Sequence, residues 1–406
     1  MILRTDYLNE LKKWKDENVI KVVTGLRRCG KSTLLKQFQS QLTDSGVEPE
    51  QIIAVNFEDL EFEELLDYKK LYSYILLRLN PDKKNYIFLD EIQMVKDYQK
   101  AVDSLFIKEN VDIYITGSNA FLLSGELATL LSGRYVEINM LPLSFKEYRS
   151  VHKDGSDESA FAEFQRFGAL PYIVTLDNTN EMADTYLEGI YNTIIVKDIE
   201  ERQKRKNENG KRRVNDIALL KNIARFLACS VGNPISIKSI ADYITSSGRK
   251  VSQNTVGDYV SALVEPYIFY SVERYDVEGK QLLKQNQKYY ISDLGLRHHI
   301  VTKKNYDLGF SLENTVFLEL KRRGYKINIG KVGKTEVDFV TEKNKSKVYF
   351  QVTASMTDEK TFEREIKPLK NIKDNYPKII LTLDRFTLGD YDGIIVRNVI
   401  DWLLED

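Results

Sequence analysis

The chain is poor in cysteine, in net charge and in long apolar runs, and each shortage closes off a class of protein. Cys29 and Cys229 are the only two cysteines among 406 residues, too few and too far apart for a disulfide framework or a zinc site. Lys and Arg number 59 against 60 Asp and Glu, a net charge of −1, so any contact with nucleic acid must come from local basic patches. No apolar run approaches the roughly 20 residues of a membrane span. Met1-Ile2-Leu3-Arg4-Thr5-Asp6 lacks the basic-then-apolar order of a signal peptide. The expectation is a soluble, cytoplasmic chain with no membrane partner. A chain of this length is expected to form roughly two to four domains.

What is present begins at residue 25. Gly25-Leu26-Arg27-Arg28-Cys29-Gly30-Lys31-Ser32 is a complete GxxxxGK[ST] run, followed by Thr33. Before it stands the apolar run Val19-Ile20-Lys21-Val22-Val23; after it Thr33-Leu34-Leu35 opens a helical pattern through Phe38. Strand, Gly-rich loop and helix N-terminus in that order predict a loop that cradles the phosphates of ATP or GTP. Backbone N–H groups and the helix dipole face the anionic oxygens. Gly25 and Gly30 permit the tight loop, Lys31 reaches the outer phosphates, and the Ser32 hydroxyl is placed to ligate Mg2+. Cys29 reads as a small residue tolerated within it.

Strand-like runs recur at Ile52–Phe57, Tyr86–Leu89, Val111–Ile115 and Tyr135–Ile138, with helical stretches between, which argues for a mostly parallel sheet. The run Tyr86–Leu89 ends in Asp90-Glu91, at the strand edge where such sheets bind ligands. Asp90 suits the magnesium ion, and Glu91 suits a general base that polarises the attacking water. A neighbouring run ends in Thr116-Gly117-Ser118-Asn119. There Asn119 or Ser118 is expected to position that water, although Gly-Ser-Asn is equally good turn chemistry.

Leu131-Ser132-Gly133-Arg134 then precedes Tyr135. With Gly25–Thr33, Phe88-Leu89-Asp90-Glu91-Ile92-Gln93, Thr116–Asn119, Ser132–Arg134 and Leu141-Pro142-Leu143-Ser144-Phe145, the segment from Gly25 to Pro142 resembles an AAA+ type ATPase. It is similar to the bacterial and archaeal group that carries a C-terminal domain of unknown function. The resemblance implies ATP and Mg2+ as cofactors and catalytic roles for Lys31, Glu91 and Asn119. It also implies that Arg134 is an arginine finger reaching a neighbouring subunit's γ-phosphate, and hence a homo-oligomer in the ATP state.

The resemblance divides the chain into an ATPase core over 1–150, a helical lid over 151–213, a winged helix over 214–303 and a nuclease-like domain over 304–406. The fold class expected is α/β, a P-loop NTPase parallel sheet with a helical lid, then a winged-helix domain and a restriction-endonuclease-like α/β domain. Within the lid, Gly168-Ala169-Leu170-Pro171 resembles a turn by which relatives touch adenine, and reads equally as a plain loop. A basic stretch from Arg202 to Arg213 reads as an exposed helix end, or as a phosphate contact.

In 214–303, three apolar helical faces precede two strand-like runs: Ile217, Leu220, Ala224 and Leu227; Ile237, Ile240, Ala241 and Ile244; Val256, Tyr259, Val260 and Leu263. Such units put the third helix in the major groove of duplex DNA. That helix offers Gln253, Asn254 and Asp258, with Arg249 and Lys250 ahead of it, but carries no Lys or Arg of its own. Lys280, Lys284 and Lys288 on the wing supply part of the missing charge.

Residues 304–406 read as helix, three strands, helix, strand, similar to the PD-(D/E)xK core. Glu313 shares the apolar face of its helix with Val316, Phe317 and Leu320. Glu313, Asp338 and Gln351 offer oxygens suited to magnesium. The lysine that the pattern wants at position 353 is a threonine, which argues against nuclease activity. Two functions from different classes follow: an ATPase acting on duplex DNA, or an ATP-gated signalling or scaffold protein whose C-terminal half binds proteins.

Overall fold

The computed structural model describes residues 2–117, 133–176, 180–193, 216–301 and 308–405. Contacts divide it into two units, one of Met1–Pro142 with Glu265–Tyr267, the other of Leu143–Val264 with Ile268–Asp406.

The first unit is built on β1 (Ile20–Gly25), β2 (Ile52–Asn56), β3 (Asn85–Asp90), β4 (Val111–Thr116) and β5 (Tyr135–Met140), in the spatial order β2-β3-β4-β1-β5. Every neighbouring pair is parallel. Strands β1, β3 and β4 are buried at every position, as their near-continuous apolar runs require of a sheet covered on both faces. The helices α1 (Thr5–Lys13), α2 (Lys31–Asp44), α3 (Tyr68–Leu76) and α4 (Tyr98–Phe106) supply that cover. Beneath α2, Phe38 and Phe88 pack on Tyr114, with ring centroids 5.3 and 4.7 Å away. This is the α/β parallel sheet of a P-loop NTPase.

The second unit holds α5 (Phe145–Val151), α6 (Asp157–Phe167), α7 (Pro171–Val174), α8 (Asn180–Asn192), α9 (Ile217–Cys229), α10 (Ile237–Ser246) and α11 (Gln253–Val264). Polar caps set the starts of several: Ser144 with Glu147, Ser156, Asp216 and Ser236 each accept a first-turn N–H. Then come β6 (Phe269–Asp276), β7 (Gln281–Ile291), α12 (Leu294–Val301), α13 (Leu308–Arg322), β8 (Lys326–Val332), β9 (Thr335–Lys343) and β10 (Ser346–Thr353). The chain ends with α14 (Glu359–Lys370), β11 (Lys378–Thr382), β12 (Gly389–Tyr391), β13 (Ile394–Asn398) and α15 (Val399–Leu404).

These strands form one mixed sheet in the order β12-β13-β11-β10-β9-β8-β6-β7. The hairpin β6–β7 therefore extends the sheet of the last hundred residues, running across the 303/304 junction at which the sequence reading parts two domains. The join is the parallel pairing of β6 with β8, from Arg274↔Ile329 to Asp276↔Lys331. Among the described residues, no helix is long and apolar enough to cross a membrane.

The turn Gly168–Pro171 has a visible structural task within this unit. Asp293, at the start of α12, accepts the Ala169 N–H at 2.7 Å and the Leu296 N–H at 3.0 Å. Gly168 has φ +79, and a Cβ there would lie 2.3 Å from Asp293 Oδ1, so the turn needs glycine to reach the carboxylate.

Burial raises the Asp293 carboxyl to about 6, against the pull of its backbone N–H donors. An unfolded aspartate titrates near ~3.9. The native state therefore binds this proton more tightly, and the residue's contribution to stability falls as pH rises from ~4 to ~6. Denaturation of the wild type and Asp293→Asn across pH should show the difference shrinking by roughly 2–3 kcal/mol over that window and levelling above pH 7. A pH-independent difference would show that burial does not control this group.

Candidate nucleotide site

The loop between β1 and α2 takes its shape from three left-handed residues: Gly25 at φ +141, Arg28 at +67 and Gly30 at +102. A Cβ on Gly25 would fall 2.1 Å from the Met140 carbonyl oxygen of β5, so no larger residue fits there. From behind, the buried Arg4 donates to the carbonyls of Cys29 (3.1 Å) and Leu141 (2.7 Å), tying loop to sheet. The Cys29 thiol faces the Met140 carbonyl at 3.5 Å and is fully buried, while Leu26 packs into the core. Arg27 pairs with Glu58 at 3.2 Å, and Arg28 is exposed.

Lys31 opens α2 and is 4% exposed, its ammonium donating to the carbonyl oxygens of Gly25 and Leu26, both at 3.2 Å. Among the described residues it forms no carboxylate ion pair. Carbonyl dipoles hold the ammonium in place without neutralising it, which leaves its charge for an anion. Ser32 and Thr33, in the first turn, are half-buried.

Strand β4 lies between β1 and β3, and its last residue links the two sides of the site. The Thr116 hydroxyl donates to Asp90 Oδ1 and accepts the Glu91 N–H at 3.0 Å. Burial raises the Asp90 carboxyl above its ordinary range; the hydrogen bonds from Thr116 and Ser32 oppose that, Glu91 adds to it, and Lys31 opposes it. Ser32, Lys31, Asp90, Glu91 and Thr116 are thus brought together at the carboxyl edge of the sheet. Glu91 is left-handed, at φ +57, and its carboxylate accepts from the Gln93 side-chain amide.

Two sequence-based site residues are not among those brought together here. Asn119, like Ser118, lies outside the described residues. Arg134 is exposed at the start of β5, where its carbonyl accepts the Ile20 N–H at 2.8 Å and its guanidinium stands 5.7 Å from the Phe106 ring centroid. Register pairs Ile20 with Tyr135 and Gly25 with Met140, so roughly 17 Å of strand separates Arg134 from the loop of its own chain. The residue that sequence reasoning passed over is Thr116. Its signal was position, the last residue of a strand running parallel beside the one that ends in Asp90.

Thr116→Val keeps the shape but leaves the buried Glu91 N–H without its acceptor. Urea denaturation of the nucleotide-free chain should show a loss of about 1–3 kcal/mol; an unchanged midpoint would mean that water replaces the hydroxyl.

Residues 17–149 match a family described as an AAA domain, and residues 158–307 match a domain of unknown function. An uncharacterized protein of Haemophilus influenzae is 40% identical over 412 residues, with 100% of this chain and 99% of that protein covered. An uncharacterized protein of Methanocaldococcus jannaschii is 32% identical over 408 residues, covering 93% of this chain and 86% of the relative. Among solved structures, a Walker-type ATPase of Pyrococcus abyssi aligns with a TM-score of 0.49 at 16% identity, over 74% of this chain and 96% of that one. The chain therefore belongs to the same family as these two relatives, and residues 17–149 of it form an AAA domain of P-loop ATPase type.

Proposed function

We propose that the chain hydrolyses ATP with Mg2+ and uses the cycle to control binding by its C-terminal half, with duplex DNA as the partner. The observation that carries the hydrolytic reading is the convergence of Lys31, Ser32, Asp90, Glu91 and Thr116 at one strand edge. The donor set fits the cofactors. The loop N–H groups and Lys31 suit the phosphates, and the Ser32 hydroxyl and Asp90 carboxylate are the hard oxygen ligands that Mg2+ prefers. Bound there, the ion would neutralise charge on the phosphate oxygens. Glu91, freed from Gln93, orients and deprotonates the attacking water, assisted by Asn119 or Ser118. The exposure of Arg134 and its distance from its own loop support a role on a neighbouring copy, and with it a homo-oligomer in the ATP-bound state.

The DNA reading rests on α9, α10 and α11 followed by the β6–β7 hairpin, with Gln253 and Asn254 exposed at the start of the third helix. A specific observation favours the second reading, an ATP-gated scaffold that binds proteins. Arg249 is paired with Asp216, and Lys288, counted from sequence among the wing's phosphate contacts, is 3% exposed and held by carboxylates. Each reduces the positive charge on which DNA affinity depends.

Lys31→Ala should abolish ATP binding, whereas Glu91→Gln should bind ATP normally and lose turnover by about 100-fold or more. Normal turnover in Glu91→Gln would remove that residue as the base. If DNA is the partner, duplex DNA should raise ATP turnover, and its affinity should fall steeply with salt. Absence of binding at low salt would leave the protein-binding reading.

A further inference from the structure

The second unit carries a buried group of charges that the nucleotide site does not use. Lys288 of β7 places its ammonium 3.1 Å from Glu313 Oε1 of α13, and 2.8 and 3.7 Å from Glu336 Oε1 and Asp338 Oδ1 of β9. Tyr290, two residues on and therefore on the same face of β7, donates its hydroxyl to the same Glu313 oxygen at 2.6 Å. Asp338 Oδ2 accepts the Val352 N–H at 2.9 Å, and the Asp338 N–H reaches Gln351 Oε1 at 3.3 Å. Gln351 in turn donates to Glu365 Oε2 at 2.8 Å.

Glu313, Asp338 and Gln351 are the residues in which the resemblance to the PD-(D/E)xK core expects a divalent metal. They do not fit one. Glu313 Oε1 already accepts from an ammonium and a phenol. On the Oε2 side the chain closes in: a Cβ on Gly232 would lie 2.9 Å from that oxygen. Both ends of the Gln351 amide are engaged, and the Thr353 hydroxyl donates to the Ser355 carbonyl at 3.0 Å. A magnesium ion needs near-octahedral oxygen ligands and usually keeps several waters. Among the described residues, no group of three or more His, Cys, Asp and Glu side chains has metal-holding geometry.

The charges explain what holds the group together. Burial works against the Lys288 ammonium, but Glu313, Asp338 and Glu336 outweigh it and keep the amine protonated well above its ordinary range. Removing one partner of such a buried set leaves uncompensated charge, which is strongly destabilising.

We infer that the Lys288 ammonium occupies the place of the metal in this nuclease-like centre, so that the domain is a metal-free, non-cleaving body locked by its own cation. The lysine missing at position 353 is not restored for catalysis by Lys288. A tethered cation has arrived from β7, and it fixes the β6–β7 hairpin to α13 and β9.

The test uses the full chain without nucleotide and Mn2+ as the probe. In the wild type, Mn2+ should leave the Lys288 side-chain NMR signal unbroadened. Lys288→Ala should melt several degrees lower and bind Mn2+ about tenfold or more tightly than the wild type. That gain should vanish in Lys288→Ala/Glu313→Gln, and Lys288→Arg, which keeps a cation, should show none. Broadening of the Lys288 signal in the wild type would overturn the proposal. So would a folded Lys288→Ala chain with no gain in Mn2+ affinity, or Mn2+-dependent cleavage of duplex DNA that Glu313→Gln abolishes. If Lys288→Ala does not fold, the wild-type broadening decides alone.

Discussion

Because β1 to β5 all run the same way, the loops that leave β1, β3 and β4 emerge at a single edge of the sheet. That constraint gathers residues far apart in the chain. Lys31 and Ser32 follow β1, Asp90 and Glu91 end β3, and Thr116 ends β4 between them. Thr116 is the keystone, because one hydroxyl both restrains the Asp90 carboxylate and receives the Glu91 N–H. The same edge is desolvated, which pushes Asp90 toward protonation.

Two buried lysines show how the company of a charge decides its use. Lys31 is surrounded by carbonyl oxygens, which solvate the ammonium as water would and leave its charge uncompensated. Lys288 is surrounded by carboxylates, which consume its charge inside the fold. The first arrangement is open to an anion, the second closed to any further ion. Burial alone would not have told them apart, since both side chains are almost inaccessible.

The two halves of the chain also use their sheets differently. In the first unit, strand ends make the site, and strand interiors are core apart from the buried pair of Lys21 in β1 with Asp112 in β4. In the second, charged side chains lie on the sheet's covered face, where α13 packs over β7 and β9. Tyr290 stacks on Phe317 at 4.3 Å beside the ion group, so the apolar contact that docks the helix also desolvates Glu313. The electrostatic lock and the hydrophobic contact reinforce one another.

Local patterns sufficed for the phosphate loop, the Asp90-Glu91 strand end, the three apolar helical faces after residue 214 and the first six elements of the last hundred residues, but not for β12, β13 and α15. What sufficed is local: a motif of eight residues, or a periodicity of two or 3.6, depends only on neighbours in the chain. Tertiary structure alone decided that β4 separates β1 from β3, which gives Thr116 its place, and that β6–β7 joins the C-terminal sheet. It also placed Lys288 beside Glu313, Glu336 and Asp338, 25 to 50 positions away, where its charge serves the fold. Which charges meet after folding depends on how strands order and helices dock, and no local pattern encodes that pairing.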